Sequence, residues 1–182
     1  MSSTRTTASL ALALALGPVP ALAQVEFGPH DVRTVFFIAK SQNRNRVDYA
    51  LSLDAECRPK GAAPVRPYWR LFEEGGRLEP LARHERRAYG IASQRVRATR
   101  GGYVVELRLR ALPERPIEVH AVKDSSGRCR AGAITPIRGQ RAELHSIFVQ
   151  LASGLIPRVD SVLVEGRAVT DHRYLRERLT PA

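Results

Sequence analysis

Residues 31–53 contain two apolar patterns of different period, separated by a polar corner. Residues 31–39 are dominated by β-branched and aromatic residues on both faces, which predicts a central strand covered on both sides. In residues 47–53 apolar positions alternate with polar or small ones, which is the period-two pattern of a half-buried strand. Together the two segments predict an antiparallel hairpin joined by a six-residue polar loop.

The rest of the chain consists of short segments of strand-forming residues between turn signals. Residues 57–67 are rich in proline, glycine and alanine and are expected to form a connection. Residues 78–88 carry Pro80 in a first turn and apolar residues at helical spacing, which predicts one short helix. Further strands are predicted at residues 68–72, 89–100, 103–112, 117–123, 128–134, 143–151, 159–164, 167–170 and, in preference to a helix, 174–179.

This pattern predicts an all-β fold. About nine or ten short strands with turns at intervals of roughly eight to twelve residues are typical of an antiparallel β-sandwich or barrel. The sequence contains no internal repeat, low-complexity segment or domain linker. We therefore expect a single domain.

Gly101 and Gly102 predict the sharpest turn, because both can adopt the positive φ angles of a type I′ turn. A two-residue loop at these glycines would place Val96 opposite Leu107 on the apolar face. The other face would be a basic stripe, consisting of Arg95 opposite Arg108, with Arg110 beyond them. The stripe is either a binding surface or a solvated strand face.

The N-terminal residues have the organisation of a secretory signal peptide. Arg5 precedes a nine-residue apolar segment, 8–16, and a short stretch with two prolines leads to the cleavage sequence Ala-Leu-Ala at 21–23. The apolar segment is far shorter than the roughly 20 residues of a membrane-spanning helix. We expect residues 1–23 to be removed and residues 24–182 to form one exported domain, periplasmic or extracellular; the alternative is a buried N-terminal helix.

Cys57 and Cys129 are the two cysteines of the chain. In an exported protein, two cysteines with no other partner are expected to form a disulfide. The bond would close a long loop, which is worth about 4 kcal/mol in the chain-entropy model. It would also attach the proline-rich connection to the sheet. The alternative, a redox-active or nucleophilic thiol, has no C-x-x-C motif to support it.

The formal net charge is +11, and 26 of the 29 cationic residues are arginines. Such a surface attracts phospholipid head groups, lipopolysaccharide or acidic polysaccharide. A GC-rich genome also favours arginine through its codons, so the charge is a weaker indication than its size suggests. We expect an anionic envelope component or a small polar ligand as partner, not nucleic acid, and we expect no cofactor.

No complete catalytic, metal-binding or nucleotide-binding motif occurs in the sequence. Its five histidines include no pair at a spacing of two or four residues. His120 and His145 lie on predicted strands and could meet across the sheet, but a zinc site needs a third ligand. Ser41, Asp48 and a histidine have the residue types of a triad, but the G-x-S-x-G elbow is absent.

The polar corner at residues 40–46 gathers three cations and four hydrogen-bonding side chains at the end of a buried strand. Rigid strand ends position ligand-binding groups well. The alternative is that Asn43 and Asn45 serve only the turn, since asparagine bonds its own backbone and tolerates left-handed angles. Trp69, the single tryptophan, is expected in the core. Because its indole N–H needs a hydrogen-bond partner, Trp69 could also form one wall of a pocket.

The sequence resembles the domain of unknown function family 4833. The resemblance is carried by the motif from Val35 to Tyr49, then by Tyr68-Trp69-Arg70 and by Ala88-Tyr89-Gly90-Ile91. It implies an exported or membrane-proximal domain from about residue 31 to the C-terminus, and it implies no activity. It supports one candidate ligand-binding constellation, formed by Lys40, Ser41, Asn43, Asn45, Tyr49, Trp69 and Tyr89.

Three hypotheses about function follow from these observations. The first is a non-catalytic exported domain that binds a polar or anionic ligand, or a cell-envelope component, at the corner. The second is a small exported hydrolase or transferase that uses Ser41 or a histidine such as His84. The third is a structural envelope-associated protein that uses its basic face. The absence of any complete catalytic set favours the first.

Overall fold

The computed structural model describes residues 32–153 and 158–180. The predicted signal peptide, residues 1–23, lies outside these ranges. The described part is mostly strand, which confirms the all-β prediction. In chain order the elements are β1 Val32–Lys40, β2 Arg46–Ser52, β3 Val65–Leu71, a 3-10 turn Phe72–Glu74, β4 Arg77–Pro80, α1 Glu85–Tyr89, β5 Ile91–Thr99, β6 Gly102–Leu109, β7 Ile117–Lys123, β8 Cys129–Ile137, β9 Gln140–Ala152, β10 Arg158–Ala168 and β11 Tyr174–Leu179.

The strands form one mixed sheet with β9 at its centre. The hydrogen-bonded order is β4-β3-β2-β1-β9-β8-β7-β6-β5, and β10 pairs with the other edge of β9 and carries β11. The pairing is antiparallel except between β1 and β9, which are parallel. The sheet is therefore not purely antiparallel, and it does not close into a barrel, because β4 and β5 end the path without pairing.

The two arms of the sheet, β4 to β1 and β8 to β5, enclose one hydrophobic core. Phe36 and Tyr49 of the first arm belong to the same buried cluster as Leu107 and Ile117 of the second. Each such side chain stabilises the fold by about 1.5–3 kcal/mol through its burial. The Gln94 side-chain amide also joins the arms, because it donates to the Val65 carbonyl (3.2 Å) and accepts from the Val65 N–H (3.1 Å).

The predicted disulfide between Cys57 and Cys129 is present, with a Cα–Cα distance of 5.4 Å. Cys57 lies in the connection between β2 and β3, and Cys129 is the first residue of β8. The bond thus attaches a proline-rich connection to the opposite arm. Cys57 is buried and has a positive φ of 65°.

The predicted hairpin at Gly101 and Gly102 exists, but its register was wrong by two residues. Thr99 pairs with Gly102, so Val96 faces Val105 instead of Leu107. Gly102 belongs to β6, where a Cβ atom would lie 2.1 Å from the Ala121 carbonyl oxygen. Glycine is therefore required by the neighbouring strand β7 and not by a type I′ turn.

The basic stripe keeps its face after this correction, because a shift of two residues preserves the alternation of side chains. Arg95, Arg108 and Arg110 are all exposed. Arg95 faces Glu106 instead of Arg108, and Glu106 forms an ion pair with Arg97 at 3.3 Å. One carboxylate therefore reduces the positive charge of the stripe.

The one short helix predicted at residues 78–88 is present, but its bounds were wrong. Its first residues form the edge strand β4, which pairs with β3, and the helix is confined to Glu85–Tyr89. Pro80 ends the edge strand, where a missing N–H donor is tolerated. The separate strands predicted at residues 159–164 and 167–170 were also wrong, since one strand, β10, runs through Glu165 and Gly166 between them. The final strand, predicted at residues 174–179, is confirmed.

The turn between β8 and β9 was not predicted. Ile137 pairs with Gln140, and the two residues between them, Arg138 and Gly139, have φ values of 51° and 73°. Two consecutive positive φ angles are the signature of a type I′ turn. Arginine is unfavourable at the first position, because left-handed backbone costs an L-residue with a Cβ about 1–2 kcal/mol.

Candidate functional site

Four of the seven predicted site residues pack together at one end of the core. The Lys40 ammonium lies 5.3 Å from the centroid of the Trp69 ring. Trp69 contacts the edge of Tyr89, with a distance of 5.4 Å between ring centroids. Tyr49 donates a hydrogen bond from its hydroxyl to the Tyr89 carbonyl at 2.5 Å. The contacts thus run from Lys40 through Trp69 and Tyr89 to Tyr49.

Tyr49 is the innermost member of this group. Its side chain is fully buried and stacks on Phe36 with 4.4 Å between ring centroids. Burial, with a further contribution from Tyr89, raises the pKa of Tyr49 well above its usual value of 10.0. Its hydroxyl is therefore a neutral donor that is already used by the Tyr89 carbonyl.

The other three predicted residues lie in the β1–β2 turn. Ser41 extends the contact between β1 and β9, because its N–H donates to the Val149 carbonyl (3.1 Å) and its Oγ accepts from the Leu151 N–H (3.1 Å). Asn45 contacts Glu73 through its side-chain amide. The Oδ1 atom of Asn43 is buried and has no hydrogen-bond donor among the described residues.

The opposite face of β1, β2 and β3 carries a charged cluster around Asp48. This side chain is fully buried, although it is ionisable. The Nε atom of Arg46 donates to one carboxylate oxygen at 2.6 Å, and the Nε atom of Arg70 donates to the other at 2.7 Å. Both arginines remain about 28–29% exposed. We call Arg46, Asp48 and Arg70 the arginine–aspartate cluster.

Strand register explains how the cluster forms. Arg46 and Asp48 are two residues apart on β2 and therefore point to the same face. Across the sheet Asp48 pairs with Tyr68 and Arg46 pairs with Arg70, so Arg70 projects beside the carboxylate. Thr34 adds a hydrogen bond to the same carboxylate at 3.4 Å.

Aromatic rings hold the Arg46 guanidinium in place. Its central carbon lies 4.2 Å from the centroid of Phe37 and 5.2 Å from that of Phe72. Such cation–π contacts are worth about 0.5–2 kcal/mol each, depending on exposure. Arg70 is held on the other side of Asp48: burial acts to lower the pKa of Arg70, but hydrogen bonding and attraction to Asp48 outweigh it, so the pKa is raised.

The electrostatics of the cluster favour anion binding. One carboxylate faces two guanidinium groups, so a net positive charge remains at a partly buried position. Asp48 also restricts both arginines, which lowers the entropy that they lose when a ligand binds. An oxyanion would meet donors that are already oriented.

The residues proposed for catalysis do not come together in the described ranges. Ser41 Oγ makes its hydrogen bond to backbone, and the Asp48 carboxylate is occupied by arginines. His84 is exposed and directly precedes α1, while His120 lies 3.1 Å from Glu118. Within residues 32–153 and 158–180 no three His, Cys, Asp or Glu side chains are grouped as a metal site would require.

Two surface cavities lie away from all seven predicted residues. One, of about 440 Å³, is lined by proline and apolar residues around the ion pair of Arg115 with Glu177 (2.7 Å). The other, of about 380 Å³, lies beside β11 and is lined mostly by arginines and apolar residues. Among the helices in the described part of the chain, none has the length and apolar character to cross a membrane.

Sequence reasoning singled out Arg46 as part of the corner and Asp48 only as a triad member. The alternation of polar and apolar residues on β2 places both side chains on the polar face, and this pattern was the sequence signal available for the cluster. The partner Arg70 depends on the register between β2 and β3, across an irregular connection of twelve residues between Ser52 and Val65. No local pattern fixes that register.

The protein is thus a small all-β domain that has one disulfide and a cationic cluster on one face of its sheet. The family model described as Domain of unknown function (DUF4833) matches residues 36–178. The chain belongs to this family, as its sequence motifs predicted. The matched region includes the arginine–aspartate cluster and both cysteines. No curated protein and no solved structure matches the chain.

Proposed function

We propose that the protein is a non-catalytic binding domain whose anionic ligand is held by Arg46 and Arg70. The observation that carries the proposal is the attachment of both guanidinium groups, through Nε, to one fully buried carboxylate. One guanidinium group would be enough to neutralise the Asp48 carboxylate. The second guanidinium group therefore gives the cluster an excess of positive charge.

The bonding mode supports this role. A guanidinium has five N–H donors in a planar fork that matches carboxylate, phosphate or sulfate oxygens. The bond from Nε to Asp48 uses one of them, and the terminal amino groups carry the donors that would meet a ligand. Charge-assisted bonds of this kind are about twice as strong as neutral ones.

The neighbouring aromatic rings define the expected shape of the ligand. Phe37 and the 43% exposed Phe72 flank the Arg46 guanidinium. An oxyanion attached to a sugar ring or a short apolar group would contact both the guanidinium and a ring face. In this proposal Lys40, Trp69 and Tyr89 support the corner from the core side, and Ser41, Asn43 and Asn45 shape its turn.

We further propose that the domain acts after export, in the periplasm or outside the cell. The support is the disulfide, because such bonds persist in oxidising compartments. The ligand would then be an anionic envelope component or a small polar metabolite. The +11 formal charge would raise the rate of encounter with either.

The experiment compares lysine substitutions at the cluster and elsewhere. Arg46→Lys and Arg70→Lys keep a cation beside Asp48 but remove the planar fork, so the domain should stay folded. Calorimetric titration with inorganic phosphate, glycerol phosphate and sulfated oligosaccharides should detect binding to the unmodified domain. Each substitution should weaken that binding at least tenfold.

The matched control is the double substitution Arg95→Lys and Arg108→Lys on the basic stripe. It changes the same residue type on a different surface, so affinity should not change. The proposal is wrong if no anion of the panel binds, or if the cluster variants bind as tightly as the control.

A further inference from the structure

The cavity beside β11 is separate from the arginine–aspartate cluster. It has a volume of about 380 Å³, within the range of small-molecule sites. Its lining comes from the β8–β9 turn and from strands β10 and β11. The lining residues are Arg138, Leu163, Tyr174, Leu175, Arg176 and Arg178.

The three arginines of this cavity differ in how far they are neutralised. Arg176 is bound to Glu165 through two nitrogen atoms, at 3.0 and 2.9 Å. Arg138 and Arg178 form no ion pair with any described residue, and Arg178 donates only to the Ser161 hydroxyl at 3.3 Å. Arg138 and Arg178 therefore contribute two positive charges to the cavity that no carboxylate of the described residues neutralises.

The wall of the cavity is partly apolar. Leu163 is half-buried on β10 and pairs with Arg178 of β11, so the two side chains lie on the same face. Leu175 is buried, and its side chain belongs to the hydrophobic core. Tyr174 stands at the rim with 51% of its surface exposed. The ligand that fits this wall has an apolar part beside its charge.

Arg138 gives a second, independent indication. It occupies the first position of the type I′ turn, where asparagine or glycine is favoured. Among residues 32–153 and 158–180, no ion pair or hydrogen bond of its side chain accounts for a long cation at this strained position. Residues held in sparsely populated backbone regions are concentrated at binding sites.

We propose that this cavity binds a small amphiphilic anion. Its phosphate or carboxylate would contact the Arg138 and Arg178 guanidinium groups, and its apolar part would lie against Leu163, which pairs with Arg178 across the two strands. This site does not depend on the function proposed for Arg46 and Arg70, which are on the far side of β1 and β9 in the sheet order.

The test is a site-resolved NMR titration with two probes, inorganic phosphate and hexyl phosphate. Backbone amide shifts of Leu163 and Leu175 report this cavity, and those of Arg46 and Arg70 report the cluster. At the cavity we expect hexyl phosphate to bind at least tenfold more tightly than inorganic phosphate. Arg178→Gln should weaken the binding of both probes at the cavity at least tenfold.

Arg138→Asn separates a ligand-binding role from a structural one. Asparagine tolerates positive φ, so the melting temperature should rise by about 2–4 °C while hexyl phosphate binding weakens at least tenfold. The control is His172→Asn, because His172 also has a positive φ, of 57°, but does not line the cavity. This control should raise the melting temperature and leave affinity unchanged.

Vesicles distinguish a free anion from a lipid head group. Sedimentation with phosphatidylglycerol–phosphatidylcholine vesicles that depends on Arg138 and Arg178 would identify a lipid-borne ligand. Hexyl phosphate binding without such sedimentation would identify a free anion. The proposal is overturned if hexyl phosphate leaves the Leu163 and Leu175 amides unshifted, or if Arg138→Asn and Arg178→Gln bind it as well as the unmodified chain. Shifts at Arg46 and Arg70 alone would overturn this site and leave the first proposal intact.

Discussion

Cys57 and Gly127 occupy the same backbone position in two turns of the same construction. In each turn an aspartate, Asp54 or Asp124, accepts hydrogen bonds from the backbone N–H groups two and four residues later, at 2.8–3.0 Å. The fourth residue has a positive φ, 65° at Cys57 and 76° at Gly127. The disulfide joins the first turn to Cys129, directly after the second. A glycine is therefore the natural occupant of the position that Cys57 holds.

We predict that glycine replaces Cys57 better than serine does when the disulfide is absent. In a Cys129→Ser background, both Cys57→Gly and Cys57→Ser should lose about 2–4 kcal/mol of unfolding free energy with the bond. The serine variant should lose about 0.5–1 kcal/mol more, because it keeps a Cβ at positive φ and this outweighs the greater chain entropy of glycine. Urea unfolding measures the difference.

The control is Gly127→Ala in the chain with an intact disulfide, which should be destabilised for the same reason. Equal stability of the glycine and serine variants would show that the turn at Cys57 relaxes once the bond is removed. Thiol alkylation of the unmodified protein, purified without reductant, should find no free cysteine. Two alkylated thiols would contradict the disulfide itself.

The fold class could be predicted from sequence because strand periodicity is a local signal. The alternation at residues 47–53 is such a signal, and this segment forms β2, as predicted. Register is not local. Gly102 was assigned to a turn because its neighbour is also glycine, whereas its conformation is set by the Ala121 carbonyl on the next strand.

The site was harder to predict for the same reason. The corner at residues 40–46 was found from its cluster of polar side chains, but which face each side chain takes depends on strand pairing. Lys40 lies on the core face beside Trp69, whereas Arg46 lies on the opposite face beside Asp48. The cavity lining around Arg138 required three elements from the last third of the chain, and nothing in the sequence brings them together.

We predict opposite outcomes for alanine at the two adjacent glycines of the β5–β6 hairpin. Gly102→Ala should cost about 1–3 kcal/mol, because the new Cβ would lie 2.1 Å from a backbone oxygen that cannot move freely. Gly101→Ala should be close to neutral, since no atom lies within 4 Å of its Cβ position and its φ is not positive. Comparable urea midpoints for the two variants would contradict the observed register.

The last prediction concerns acid stability. Asp124 accepts hydrogen bonds from the Ser126 hydroxyl (2.6 Å), from the backbone N–H groups of Ser126 and Arg128, and from Arg130 Nε (3.0 Å). The Ser126 hydroxyl, then the Arg128 N–H and Arg130, lower the pKa of Asp124 well below its usual value of 3.8. The folded state therefore binds the proton more weakly than the unfolded chain does.

The sign of the effect follows from linkage. A carboxyl group with a depressed pKa in the folded state contributes stability above its unfolded pKa, and this contribution is lost as pH falls through the folded pKa. The unmodified protein should therefore lose unfolding free energy as pH drops below about 3.8, the ordinary pKa of Asp124. Asp54, whose pKa is also lowered, adds to the same loss.

Asp124→Asn isolates the contribution of one carboxylate. The asparagine oxygen still accepts the two backbone hydrogen bonds, so the turn is kept, but the residue no longer titrates. The variant should be less stable than the unmodified protein at neutral pH, and the two urea midpoints should converge as pH approaches about 2. Ser126→Ala, which removes the first of the three interactions, should give an intermediate curve. Parallel curves for all three proteins would mean that the hydrogen bonds of Asp124 do not contribute to stability, and that acid unfolding starts at another group.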